Sequence, residues 1–93
     1  MISDYLNGIS TRTYNAEEKE ALLAYMSKRL FLDWASSKRI KDRVNGETVN
    51  TLCFVGYSDG MFEWDSAEIY HLEKYDLKLS EAFIRHVLEK SEQ

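Results

Sequence analysis

Leu22, Leu23, Met26 and Leu30 recur at helical spacing, with Tyr25 beside them. Asn15 followed by Glu18 has the form of a capping box. Glu17 and Glu20 put negative charge in the first turn, and Lys28 and Arg29 put positive charge at the end, as the helix dipole favours. This pattern predicts an amphipathic helix from Ala16 to about Lys28. In the next segment Leu30, Leu32 and Trp34 alternate with Phe31 and Asp33, which favours a short strand. The same pattern leaves open a helix continued through Ala35. Asn45-Gly46 is a hairpin signal. It precedes Thr48, Val49, Thr51, Leu52, Phe54 and Val55, a run rich in β-branched and aromatic residues. Asp59-Gly60 then separates that strand from Met61-Phe62-Glu63-Trp64, as in a tight two-residue hairpin.

After Trp64 the period turns helical again. Asp65 or Ser66 caps a helix containing Ile69, Tyr70, Leu72 and Lys74, and Leu77 and Leu79 mark an extended link. Ser80 caps a last helix whose apolar face is Phe83, Ile84, Val87 and Leu88. Residues 1–14 show no period and read as a loosely held arm, and 91–93 as a frayed tail. The expected architecture is one α+β domain over residues 1–93. It has an N-terminal helix, a three-stranded antiparallel meander packed on it, and two C-terminal helices.

Composition narrows the function classes. At 44% hydrophobic and 13% aromatic the chain is too rich in core formers to be disordered. A lone cysteine, Cys53, points to a reducing compartment. Asp4, Asn7 and Gly8 interrupt any signal-like apolar run near Met1, and no apolar stretch approaches the roughly 20 residues of a membrane span. The expectation is a cytoplasmic protein without a membrane partner.

The net charge of −4 is unevenly spread. Residues 28–50 hold six bases and three acids, whereas 59–76 hold six acids and one base. The basic run Lys38-Arg39-Ile40-Lys41-Asp42-Arg43 contains an acid, lacks zinc spacing and belongs to an acidic protein. It reads as a solvated hairpin, and no nucleic-acid partner is expected.

Catalytic signals are sparse. Glu68 precedes His71 by three residues and Glu89 follows His86 by three, so each helix offers a carboxylate–histidine pair. Neither histidine has another His or Cys at ligand spacing, and no metal is expected. Cys53, inside an apolar strand run, reads as a buried, inert thiol. The four glycines never cluster into a phosphate loop, and no cofactor is expected. The remaining constellation mixes acids with aromatics: Asp59, Glu63, Asp65, Glu68, Tyr70, Glu73, Tyr75 and Asp76. Such a surface would suit binding of a basic protein, the acids steering and Tyr70 or Tyr75 anchoring.

The C-terminal half adds a resemblance. Asp59-Gly60, Phe62, Trp64, Tyr70-His71, Tyr75, Leu77-x-Leu79 and Phe83-Ile84-x-His86-Val87 resemble a widespread group of small, mostly uncharacterised bacterial proteins. Some of these are suspected of being immunity proteins that neutralise toxins in interbacterial competition. The resemblance covers about Leu30 to Leu88, and it departs at Asp65 and Ser80, where relatives commonly carry Pro. Paired cysteines found in some relatives are absent, and no redox or metal role carries over. The matched positions are largely turn and core types. The resemblance therefore implies a fold, and a non-catalytic inhibitor of a basic toxin or enzyme, as a monomer or homodimer. The alternatives are a small enzyme using His71 or His86, and a structural or oligomerisation module.

Overall fold

The computed structural model describes residues 2–91. It is an α+β fold: α1 (Ala16–Met26), β1 (Leu32–Lys41), β2 (Thr48–Ser58), β3 (Glu63–Asp65), α2 (Ser66–Tyr75) and α3 (Glu81–Ser91). The three strands form one antiparallel sheet in the order β1-β2-β3. Of the expected frayed tail, Ser91 closes α3 and the rest lies outside the described residues.

Helix α1 starts where its capping box sets it. The Asn15 side chain accepts from the Glu18 N–H at 2.8 Å, and the Glu18 carboxylate accepts from the Asn15 N–H. It ends at Met26, two residues earlier than expected. Leu30 sits in a single 3-10 turn and is exposed, so it does not extend the apolar stripe of α1. Leu22, Met26, Trp64, Leu72, Phe83 and Val87 form the centre of the core, and the Trp64 indole N–H donates to the Met26 carbonyl at 2.9 Å.

Both turns are wider than their dipeptides predict. In the first, only Gly46 adopts positive φ, and the loop from Asp42 to Glu47 is closed by Asp42. The Asp42 carboxylate accepts the Val44 and Asn45 N–H groups at 2.8 and 3.0 Å. In the second, Asp59 accepts the Met61 and Phe62 N–H groups at 2.9 and 2.8 Å, and β3 begins only at Glu63. In each case an aspartate side chain takes the role of the ladder hydrogen bonds, which lengthens the loop.

Residues 2–14, expected as a loose arm, are docked. Ile2 and Tyr5 are buried, and the arm runs beside the 76–80 link through Arg12 N–H to Asp76, Lys78 N–H to Ser10 and Ser80 N–H to Ile2. The Tyr14 hydroxyl donates to the Leu77 carbonyl and accepts from the Leu79 N–H. The link supplies alternating leucines to the core and its free backbone groups to the arm, and this fixes both.

The β1–β2 ribbon is irregular. Its register shifts between Leu32 and Trp34, between Ala35 and Arg39, and between Arg39 and Ile40. Such bulges interrupt the alternation of facing that the sequence suggests. Cys53 is exposed, like its neighbour Leu52, with the Arg39 guanidinium against its sulfur, and is not the buried thiol expected.

Candidate functional site

Most of the residues expected to form an acidic binding surface are internal. Asp59 accepts at one oxygen from the Tyr25 hydroxyl at 2.6 Å and from His86 Nε2 at 2.8 Å; its side chain is 3% exposed. Burial alone would raise its pKa. The Tyr25 hydroxyl, the Phe62 and Met61 N–H groups and His86 outweigh burial and hold the carboxyl at about 2. Burial, reinforced by the Asp59 charge, pushes the Tyr25 hydroxyl well up.

Asp65 and Glu68 are buried as the capping box of α2. The N-terminal arm closes over them, with Tyr5 donating to Asp65 at 2.9 Å and Ser3 to Glu68 at 2.5 Å. Tyr70 and Tyr75 both point their hydroxyls at buried Asp42, at 2.7 and 2.6 Å. Asp76, in left-handed conformation at the end of α2, pairs with Lys19 at 2.7 Å. Of the six acids in the expected set, Glu63 and Glu73 are exposed and the Asp76 side chain is half-exposed. A continuous acidic surface through the eight residues is therefore not formed. Charge counted along the chain misleads here, because the helix cap and a turn draw three of the six carboxylates, Asp59, Asp65 and Glu68, inward.

Glu68 gives a test of this interior. Burial raises its pKa to about 7 from 4.5. Because the folded value lies above the unfolded one, ionisation favours unfolding. The stabilisation is complete below about pH 4.5 and is lost as pH rises through 7, a total of about 3 kcal/mol. Glu68→Gln keeps an acceptor for the Asp65 N–H and a donor for Ser3 without the charge. Denaturant titrations should show its stability gaining on wild type by about 2–3 kcal/mol between pH 5 and 8. A constant difference across that range would mean that the buried charge does not set the pH dependence.

The histidines occupy different settings. His71 is fully buried, with Nδ1 2.6 Å from the Ala67 carbonyl and Nε2 accepting the Arg43 N–H at 2.9 Å. Because a carbonyl can only accept, the proton sits on Nδ1 and both ring nitrogens are satisfied. His71 is a structural clamp between α2 and the first hairpin loop. His86 does reach a carboxylate, Asp59, but neither imidazole lines any of the five main cavities. Among the described residues no group of three or more His, Cys, Asp or Glu is placed to hold a metal ion.

The open chemistry lies elsewhere, on the ribbon. A cavity of about 500 Å³ sits between the N-terminal arm (Tyr5, Leu6), the β1–β2 ribbon and β3. Trp34 is 44% exposed and lies against the backbone of Gly56, where a Cβ would overlap the indole. Its ring stacks on Phe54 at 5.3 Å. Arg39, Lys41 and Arg43 line the same cavity, and among the described residues no carboxylate lies within 4.0 Å of their charged ends. Arg43 reaches only the Leu6 carbonyl, and Arg39 only the Ser37 carbonyl and the Cys53 sulfur.

Five of the seven large apolar residues left exposed also belong to the segment from Leu30 to Leu52. Leu32, Trp34 and Leu52 lie on the strands of the ribbon, Val44 in its loop and Leu30 in the turn that precedes β1. The basic run, expected as a solvated hairpin, exposes Lys38, Arg39, Lys41 and Arg43 and buries Ile40 and Asp42.

The chain has no match among protein-family models, curated proteins or solved structures. No helix among the described residues is long and apolar enough to cross a membrane.

Proposed function

We propose that the protein is a small non-catalytic binding domain that covers part of a partner protein, in the manner of an immunity protein, and does so with its β1–β2 ribbon. One observation carries the reading. Exposed Trp34 lines one cavity with Arg39, Lys41 and Arg43, and Leu32, Val44 and Leu52 are exposed on the same ribbon and its loop, whereas the carboxylates of Asp42, Asp59, Asp65 and Glu68 are satisfied inside the fold. An exposed aromatic beside exposed cations is the composition of an interface anchor. The acid-rich helix α2, with Glu73 and the paired Asp76 on its surface, has less to offer a partner.

The test is a pull-down from native cells with mass spectrometry, using wild type, a Trp34→Ala/Lys41→Gln ribbon variant and a Glu73→Gln acid variant. The expected result is a stoichiometric protein retained by wild type and the acid variant and lost from the ribbon variant. A protein lost only from the acid variant would restore the acidic surface. A small metabolite copurifying in place of a protein would favour an enzyme built on His86.

A further inference from the structure

The N-terminal arm has two parts. Gly8, at positive φ, separates residues 2–7 from the stretch that Ser10 and Arg12 tie to the 76–80 link. We propose that residues 2–7 are a pH-sensitive strap. It stays shut over Glu68 while that carboxyl carries a proton, and ionisation of Glu68 favours its release. Release uncovers the first turn of α2 and removes the wall that Tyr5 and Leu6 give the cavity beside Trp34. The device acts whatever the ribbon binds.

The two capping boxes of the fold carry the argument. Asn15 and Glu18 open α1, and Asp65 and Glu68 open α2 with the same reciprocal bonds. The box of α1 faces solvent: Asn15 is exposed and the Glu18 side chain is 24% exposed. The box of α2 lies under the strap, and Glu68 is fully buried. A carboxylate taken from water needs donors in its place. Asp42 and Asp59 each have two side-chain and two backbone donors. Among the described residues Glu68 has only the Ser3 hydroxyl and the Asp65 N–H, and no cation lies within 4.0 Å of it.

The surrounding charges add to this. Burial raises the Glu68 carboxyl most, the Ser3 bond opposes it, and the Asp65 charge at the end of β3 raises it further; the α-amino charge lowers it. From the strap Tyr5 faces the pair with a neutral hydroxyl, while Asp4 turns outward to Asn7. His71 of α2, stacked on Tyr5, lowers the Asp65 carboxyl, and Arg43 of the first hairpin loop acts on Tyr5. The net result is a Glu68 value of about 7 with the strap shut. With the strap open, water reaches the carboxyl, which returns toward 4.5. The shut form therefore holds the proton more tightly. Closure is favoured most below about pH 4.5 and weakens as pH rises through 7.

Amide hydrogen exchange of the full-length protein from pH 5 to 8, corrected for base catalysis of exchange, tests the proposal. The Ser80 N–H, which donates to the Ile2 carbonyl, reports the strap, and the Leu22 N–H inside α1 reports the core. Ser80 should be less protected than Leu22 at every pH, and its protection should fall about fiftyfold across this range. In Glu68→Gln the fall should be nearly abolished. Equal protection of Ser80 and Leu22 overturns the proposal, because the strap would then open only when the whole domain unfolds. Ser80 protection that is independent of pH, or that falls in Glu68→Gln as in wild type, overturns it as well. The first two outcomes are read from wild type alone, so the test holds whether or not the variant folds.

Discussion

Asp42→Ala is expected to destabilise the domain by about 3–5 kcal/mol, the range for removing one side of a buried charged network. Asp42 is 1% exposed, and its carboxylate is the acceptor for four donors: the Tyr70 and Tyr75 hydroxyls and the Val44 and Asn45 N–H groups. The Lys74 ammonium stands 3.7 Å away. Burial would raise the Asp42 pKa, but the two hydroxyls and the two backbone donors reverse this and hold it far below the usual carboxylate range. Alanine leaves those donors without a partner, two of them in the loop that closes the ribbon. Domains of this kind are stable by only about 5–15 kcal/mol, so the loss would be a large share of the total.

Asp42→Asn separates charge from shape. Its amide oxygen can still hold the loop N–H groups, and a smaller loss of about 1–2 kcal/mol is expected. Urea unfolding with an unchanged m-value measures both. A loss below about 1 kcal/mol for Asp42→Ala would mean that water replaces the carboxylate and that the loop does not depend on it. The pH dependence carries the same sign for Asp42 and Asp59. Their folded pKa values lie below the unfolded ones, so the stability they provide is present above about pH 4 and is lost as pH falls through their folded values.

Gly56→Ala should have the second large effect, and it reads directly on the candidate site. The added methyl would overlap the Trp34 indole nitrogen and Cε2, so the indole must leave its seat. Overpacking of this kind costs about 1–3 kcal/mol. Trp34 emission should shift to the red, while Trp64, buried and bonded to the Met26 carbonyl, should not change. Added to Trp34→Ala, the Gly56→Ala substitution should cost little, giving a coupling of about 1–2 kcal/mol in a double-mutant cycle. Additive losses would place the strain in the strand backbone and not in the tryptophan.

Much of the fold was legible in local signals. Asn15 with Glu18 and Asp65 with Glu68 mark the two helix starts, because a capping box is complete within four residues. The apolar faces of α1 and α3 come from periodicity. What failed was long-range. Nothing near Tyr5 announces that its hydroxyl meets Asp65, sixty positions away, and the arm therefore reads as loose. Nothing around Asp59 reveals Tyr25 or His86. Cys53 sits in an apolar run yet is exposed together with Leu52, because such a run does not say which part of a strand the fold covers. The acidic surface failed for the same reason. A count of charges along 59–76 cannot tell a solvated carboxylate from one that caps a helix, closes a turn or receives a tyrosine.

If the ribbon, and not the acid-rich helix, meets the partner, the two faces should respond differently when the complex forms. A nitrogen-15 correlation spectrum of the labelled protein, recorded as the protein recovered by pull-down is added, reads both at once. The two tryptophans give one indole signal each, one exposed and one buried. The Trp34 indole and the amides of Arg39, Lys41 and Arg43 should shift together while the Trp64 indole stays in place. Shifts centred on Glu73 and Asp76, with Trp34 unmoved, would move the interface to the acidic helix and rule the ribbon out.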